Sequence, residues 1–251
     1  MTPVYPARDL EGKVALVVGG SRGQGAVCAE LLAMGGATTV FSYAHGEHAA
    51  ARTLTALDRH GVTAEAIRSD ATRSADVDIL FEGVVARHGR LDIVVHTVGA
   101  VLGKALAEHT DEDFDLLIDR NARSAFNTLR AAARHLSDHG RYVALTGALP
   151  SIGVHSAAKA AVELLVRAAA RELATRQITV NAVAPGPVTD SFPCGPPGRG
   201  RLGQPEDIVS GSSGRGRLGQ PEDIAPVVAW LAGDAAGWVS GQTIRADGAP
   251  S

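Results

Sequence analysis

The apolar residues of this chain fall into two alternating patterns. Short unbroken runs such as Val14-Ala15-Leu16-Val17-Val18 have the form of strands buried on both faces. Similar runs fall at 37–41, 91–95, 141–145 and 178–183. Between them lie longer mixed stretches at 26–34, 47–60, 73–88, 112–136 and 157–175, whose spacing predicts helices. Three of these stretches end in the same dipeptide, His60-Gly61, His88-Gly89 and His139-Gly140. Glycine there supplies the left-handed residue that stops a helix, and histidine suits the negative end of the helix dipole. Strand–helix alternation from end to end predicts a doubly wound α/β fold, a mostly parallel sheet with helices on both faces, as a single domain spanning 1–251. Ligands of such a sheet sit at the carboxyl ends of its strands, where the winding direction reverses.

One region breaks the rhythm. From Pro185 to Pro221 the chain is rich in Gly, Pro, Ser and Arg, and residues 198–208 recur word for word as 214–224. A period used twice in one place is a local duplication rather than a solenoid. The second copy runs into Ala225-Pro-Val-Val-Ala-Trp-Leu231, a sensible helix, and is expected to hold the structural position, with the first copy as loop.

Composition narrows the function classes. With 251 residues, 45% hydrophobic and 20% charged, the chain is long enough to bury a core without staples. A net charge of −3 with no basic block argues against a nucleic-acid surface. Cys28 and Cys194 make neither a disulfide framework nor a zinc pattern. The best histidine spacings, His45/His48 and His135/His139, lack the further ligands a metal needs, so no metal is expected. No run approaches the ~18 apolar residues that span a bilayer. Residues 1–10 carry Arg8 and Asp9 and lack a signal peptide's apolar core. The expectation is a cytoplasmic protein with neither membrane nor nucleic acid as partner.

The first strand runs directly into Gly19-Gly20-Ser21-Arg22-Gly23-Gln24-Gly25 and then a helix. Glycines at 19, 23 and 25 permit a tight turn whose backbone N–H groups, with the helix N-terminus, can meet a pyrophosphate. A site for NAD(H) usually places an acid about 20 residues further on to bind the ribose hydroxyl. Here the second strand ends Phe41-Ser42-Tyr43-Ala44-His45, with no acid until Glu47. Arg22 offers a planar donor and Ser42 a hydroxyl to a 2′-phosphate, so NADP(H) is expected in preference to NAD(H).

In its ordered set of motifs the chain resembles the short-chain dehydrogenase/reductase family over essentially its whole length. The glycine loop is followed by Asp70-Ala71, which looks like the family's adenine-side turn, and by His96-Thr97-Val98-Gly99 in the place of its Asn-Asn-Ala-Gly. Asn121 matches the asparagine of the long fourth helix, Asn181-Ala-Val-Ala-Pro-Gly186 is close to verbatim, and residues 241–248 look like the closing strand. The resemblance implies a Rossmann-type domain with cofactor contacts from Gly19, Ser21, Arg22, Gly23, Gln24, Gly25, Ser42, Tyr43, Asp70, Ala71, Val98, Gly99, Lys159, Pro185, Gly186, Val188 and Thr189. It implies hydride transfer between a nicotinamide and a carbonyl or alcohol, with tyrosine as acid or base. A lysine holds the ribose, a serine holds the substrate oxygen, and the helical asparagine positions a water. It also implies a homodimer or homotetramer through the fourth and fifth helices, where alanine-rich faces at 124–136 and 157–174 permit close packing.

The chain departs from that pattern where the chemistry lies. His155 stands in the tyrosine's place, four residues before the matching Lys159, and Gly147 aligns with the serine. The segment between Gly147 and His155 is shorter than the family's, with Thr146 and Ser151 as off-position hydroxyl candidates. Asp190 takes the place of the nicotinamide-side threonine, next to Thr189. On a helix His155 and Lys159 share a face, and a neighbouring cation favours neutral imidazole, a usable base and weak donor. His155 is either a substitute acid/base or a residue filling the tyrosine's space. The catalytic candidates are therefore His155, Lys159, Asn121, Thr146 and Ser151. The function expected is NADP(H)-dependent reduction of a carbonyl or related unsaturated small molecule. The alternative is a non-redox step (isomerisation, cyclisation or dehydration) or a cofactor-binding scaffold. Residues 187–220, including Phe192 and Cys194, are expected to form a substrate lid.

Overall fold

The computed structural model describes residues 9–147, 153–189 and 215–249. Its strands are β1 (Val14–Val18), β2 (Thr38–Tyr43), β3 (Ala64–Arg68), β4 (Ile93–His96), β5 (Arg141–Leu145), β6 (Thr179–Pro185) and β7 (Thr243–Ala246). They form one sheet in the order β3-β2-β1-β4-β5-β6-β7, with every pairing parallel. Alternate residues of β1 feed two cores. Val14, Leu16 and Val18 pack with α3 (Ser74–His88), α5 (Ser124–His135) and α6 (Gly153–Glu172). Ala15 and Val17 pack with α1 (Gly23–Met34), α2 (Glu47–Arg59) and α7 (Pro221–Ala232). A strand covered on both sides is largely apolar, which is why β1 is an unbroken run and β5 and β6 are nearly so, with Arg141, Thr179 and Asn181 as their buried polar residues. The strand order reverses between β1 and β4, so their carboxyl ends part and open the crevice in which such sheets bind ligands.

Four boundaries differ from the sequence expectation for physical reasons. β3 lies at the sheet edge with half-exposed residues, so it has no apolar run. The stretch expected as one helix at 112–136 is α4 (Asp111–Leu117), a π turn over Ile118–Arg123, and α5. Asn121 sits inside that turn and its Nδ2 donates to Leu117 O at 2.8 Å, competing with the backbone ladder. α6 begins at Gly153 rather than 157, which brings His155 into its first turn. The third His-Gly stop works differently from the other two. Gly61 and Gly89 are left-handed at φ 70° and 75°, whereas at the third stop His139 itself takes φ 63°. Gly140 is there for space, since a Cβ on it would lie 2.8 Å from Ser137 O.

The second copy of the duplicated segment docks on the end of β6. Gly219 N donates to Pro187 O at 2.9 Å and Thr189 N donates to Gly219 O at 3.1 Å. Arg217 holds Asp223 with two hydrogen bonds of 2.6 and 2.7 Å, and Pro221 starts α7. The first copy, and with it most of the expected lid at 187–220, lies outside the described residues. Deleting residues 198–213 removes one copy and rejoins the chain in the same words. Shortening a connection on this scale changes closure entropy by only about 1 kcal/mol. The deleted protein is expected to melt within about 4 °C of the full chain; a larger fall in calorimetry would mean that the first copy is structural.

Candidate active site

The loop after β1 is shaped by close approaches that only glycine allows. Gly19 takes φ 91°, and a Cβ on Gly25 would sit 2.3 Å from Gly19 O. Thr97, just past β4, donates to Val18 O and Gly19 O at 3.0 and 3.1 Å, tying β1's exit to the neighbouring strand. From α2, Thr53 donates to Ser21 O at 2.9 Å. α1 opens on Arg22, whose extended backbone offers no side-chain cap, and its first turn, with Gly23, Gln24 and Gly25, has no acid. The first-turn N–H groups, uncapped by a side chain, make a basin for an anion, with exposed Arg22 at its rim. Ser42 does not reach that rim as expected. It is buried, and its Oγ accepts from Gly19 N at 3.4 Å, so it acts on the loop from beneath. Tyr43 ends β2, half-buried.

On the adenine side of the resemblance, Asp70 Oδ1 accepts from Thr72 N at 3.0 Å and Thr72 Oγ1 at 2.8 Å. Burial pushes the Asp70 carboxyl up, but these bonds and the charges of Arg120 and His45 leave it below its ordinary value. Buried Asn127 of α5 donates to Ala71 O and Thr72 O, both at 3.1 Å, and so fixes the turn.

The catalytic corner forms where β4, β5 and α6 converge. Lys159 is 5% exposed and its Nζ donates to Leu145 O at 3.0 Å. No ion pair reaches it among the described residues, and burial lowers its pKa to about 8. Val98 is half-buried beside Gly19, and a Cβ on Gly99 would lie 2.9 Å from both Lys159 Nζ and Asn121 Oδ1, so this backbone must stay bare. Asn121 clamps the next peptide from both sides: Ala100 N donates to its Oδ1 at 3.2 Å, and its Nδ2 donates to Ala100 O at 2.9 Å.

His155 Nδ1 meets the same Ala100 O at 2.9 Å. A carbonyl oxygen only accepts, so the proton of neutral His155 resides on Nδ1 and Nε2 carries a bare lone pair. Burial first, and the Lys159 charge second, lower the His155 pKa to about 4 against the pull of Ala100 O, so the ring is neutral at physiological pH. Nε2 faces Gly147: a Cβ built there would lie 3.2 Å from it and 3.7 Å from Lys159 Cγ. Among the described residues these are the only heavy atoms within 4 Å of that point outside Gly147's chain neighbours. Thr146 is not brought in, because its hydroxyl donates to Val183 O at 3.3 Å beneath the sheet end. Pro185 and Gly186 leave β6 beside β7, where Gly186 N donates to Ala246 O at 3.4 Å. Buried Val188 bridges to Gly219, and exposed Thr189 bonds Gln220 Oε1 at 3.1 Å. Ser151 and Asp190 lie outside the described residues, as do Phe192 and Cys194.

Several contributors escape sequence reasoning. Ala100, Thr97, Thr53 and Asn127 act through backbone bonds with partners 21 to 79 residues away, which no local pattern displays. Buried His96 lies within 3.1 Å of Thr128 Oγ1 and 3.3 Å of Ser124 Oγ, and Thr128 in turn meets Tyr142 OH at 3.0 Å. Burial, with the Lys159 charge second, takes the His96 pKa down to about 3. The sole signal for this network is a row of polar residues on the inner face of α5. Among the described residues no three His, Cys, Asp or Glu side chains converge as a metal site, and no helix is long and apolar enough to cross a membrane.

Comparison with known proteins places this geometry among relatives. The family model described as enoyl-(acyl carrier protein) reductase matches residues 18–249. A probable tetrahydroxynaphthalene reductase of Zymoseptoria tritici is 37% identical over 278 residues, covering 99% of this chain and 98% of that one. The crystal structure of a dehydrogenase/reductase from Sinorhizobium meliloti superposes with a TM-score of 0.88 at 35% identity, covering 96% of each chain. The landomycin C-6 ketoreductase LanV, crystallised with NADP and rabelomycin, superposes with a TM-score of 0.84 at 33% identity, again over 96% of each.

Proposed function

This chain belongs to the short-chain dehydrogenase/reductase family, and from that premise we propose that it is an NADP(H)-dependent reductase of a carbonyl or related unsaturated small molecule, with His155 at the acid/base position. The observation that carries this reading is a juxtaposition at one end of the sheet. The glycine basin opening α1 and the buried Lys159 ammonium both lie beside the stretch Thr97–Gly99 that leaves β4. The fit to a dinucleotide rests on the bare backbone at Gly19, Gly25 and Gly99, and on a helix N-terminus with no acid to repel phosphate. The NADP bound in LanV supports the choice of coenzyme.

In this reading Gly19, Ser21, Gly23, Gln24 and Gly25 hold the pyrophosphate and Arg22 the 2′-phosphate, while Lys159 holds the nicotinamide ribose. Val98, Gly99, Pro185, Gly186, Val188 and Thr189 border the reactive ring. When bound, the coenzyme supplies a hydride donor. The protein's part is orientation and charge. Lys159, protonated at neutral pH, sets a positive charge beside the reacting oxygen. His155 Nε2 is an acceptor there, because its one proton is committed to Ala100 O. The proton that the reduced oxygen takes up therefore comes from the Lys159 ammonium, which has two N–H groups beyond its bond to Leu145 O, and the ammonium regains it from water. Exposed Phe126 on α5 and Leu164 on α6 support a homodimer or homotetramer built through these helices.

The test is coenzyme titration followed by absorbance at the reduced-nicotinamide band with a panel of ketones. Consumption of NADPH supports the reading; product formed without consumption, or no coenzyme uptake by folded protein, overturns it. Arg22→Ala is expected to raise the NADPH dissociation constant by about 10- to 100-fold, the worth of a charge-assisted hydrogen bond. NADH binding should stay unchanged in that variant, and an equal loss for both would remove Arg22 from the 2′-phosphate.

A further inference from the structure

The buried polar row beside the catalytic corner has one proton arrangement that satisfies it. His96 closes β4, fully buried, and its ring lies between two hydroxyls of α5. Nε2 is 3.3 Å from Ser124 Oγ and Nδ1 is 3.1 Å from Thr128 Oγ1. Burial keeps the ring neutral at physiological pH, so it carries a single N–H. The shortest contact in the row decides where that proton sits. Ser124 Oγ lies 2.8 Å from Arg120 O, a carbonyl that only accepts, so the one proton of the serine is committed there. The contact with His96 is then made by Nε2–H, and Nδ1 is left bare. Thr128 gives its proton to Nδ1 and accepts one from Tyr142 OH, 3.0 Å away. A proton turned instead to the Ser124 or Ala125 carbonyl would set the threonine's lone pairs against a bare, buried nitrogen. Tyr142, Thr128, His96, Ser124 and Arg120 O thus form a line of hydrogen bonds running in one direction.

The line ends inside the π turn. Arg120 O belongs to that turn, and the next residue is Asn121, whose side chain clamps the Ala100 peptide that holds His155. His96 is also the strand residue from which Thr97, Val98, Gly99 and Ala100 run on. Its ring therefore ties the start of this stretch to the element that clamps its end. Resting on the reductase reading, we propose that His96 is a positioning residue of the catalytic corner: through Nε2–H and Ser124 it sets the π turn against the exit of β4, and so fixes the Ala100 peptide and the ring of His155. Fully buried, it acts through these neighbours alone. The two histidines then hold opposite tautomers, Nε2–H at His96 and Nδ1–H at His155. The members of a buried line of this kind support one another, so removing one weakens the rest.

The experiment labels the histidine rings of the full chain with nitrogen-15 and reads both ring nitrogens by long-range proton–nitrogen correlation at neutral pH. His96 and His155 are assigned from the signals that vanish in His96→Gln and His155→Phe. The expected pattern is a proton on Nε2 at His96 and on Nδ1 at His155; the same tautomer at both, or the reverse pair, overturns the assignment. Ser124→Ala, with folding checked by calorimetry, is expected to shift the His155 ring signals, although Ser124 makes no hydrogen bond to that ring among the described residues. His96→Leu should do the same, and His96→Gln, whose amide can donate to Ser124, should keep the wild-type His155 signals. A lower melting temperature with His155 signals unchanged in Ser124→Ala and His96→Leu would make His96 structural only and overturns the proposal. For a ketone that the wild-type chain reduces, Ser124→Ala should lower kcat by about 10- to 100-fold, since a displacement of about 1 Å can cost about 100-fold, with KM and the NADPH dissociation constant unchanged. Unchanged kcat overturns the positioning role. A wild-type chain that reduces no ketone removes the reductase reading and the catalytic half of the proposal, while the ring signals still decide the tie between His96 and His155.

Discussion

A Lys159→Met variant is expected to lose turnover by roughly two to three orders of magnitude, the usual worth of a charge aimed at a reacting oxygen, while melting no lower than the wild-type chain. The second half of that expectation follows from burial. Lys159 is 5% exposed, and its pKa falls to about 8 because the ammonium has left water. A shift of that size means the folded state carries a penalty of about 3 kcal/mol at neutral pH. Methionine fills similar volume without the charge, and what it gives up is one hydrogen bond to Leu145 O, worth about 1 kcal/mol. The balance is near zero or favourable, and in a chain of this length each kcal/mol moves the melting temperature by about 2–4 °C. Steady-state kinetics beside calorimetry reads both halves. Turnover retained by Lys159→Met would take the lysine out of the machinery, and a melting temperature lower by about 10 °C would make it a structural residue.

The same penalty has a pH signature in the wild-type protein. Between about pH 8 and 10.5 the unfolded chain binds a proton at this lysine that the folded chain does not, so stability rises with pH there. Turnover should fall over the same range as the ammonium is lost.

What the sequence reveals of this fold is set by burial. Strands β1, β5 and β6 lie between two helical layers, and a strand wet on neither face is mostly apolar: β1 is so throughout, whereas β5 and β6 carry the buried polar residues Arg141, Thr179 and Asn181. β3 is equally part of the sheet, yet as an edge strand it reads Ala-Glu-Ala-Ile-Arg and shows no such run. The π turn at Ile118–Arg123 is hidden for another reason. An extra residue in a helix leaves the apolar spacing nearly intact, and the trace is one asparagine among good helix formers. In the site, the residues that sequence can name are those forced by local geometry. Gly19 follows β1 directly, Gly23 and Gly25 share the first turn of α1, and His155 and Lys159 sit one helical turn apart. The orientation of His155 could not be read, because Ala100 lies 55 residues earlier and contributes only a carbonyl. Ser42 and Thr146 show the converse. Both are hydroxyls in plausible places, and both turn their side chains toward backbone because a buried hydroxyl must find a partner.

Acid is expected to unfold this protein early, and two histidines are the reason. His96 is fully buried with a pKa of about 3, and His155 is held at about 4, each lowered chiefly by burial and further by Lys159. In the unfolded chain both return to the ordinary value of about 6.5. Above that value both states are neutral at these positions and pH has no leverage through them. As pH falls from 6.5 toward 4 the unfolded chain takes up protons that the folded chain refuses, so stability is lost progressively over that window. Each unit of pKa difference is worth about 1.4 kcal/mol, so the pair together removes several kcal/mol, a large part of the 5–15 kcal/mol that holds a typical domain folded. Circular dichroism through a pH titration should therefore show cooperative unfolding at about pH 4–5, before most carboxylates are protonated. His96→Asn keeps hydrogen-bonding atoms beside Ser124 and Thr128 while removing the titration, and His155→Phe removes the other. Each substitution should move the acid midpoint downward, and the two together further than either. A wild-type midpoint below about pH 3, or variants that unfold at the wild-type pH, would mean that the folded protein admits these protons. His96 and His155 would then not be the buried, neutral rings from which the acceptor role of Nε2 is derived.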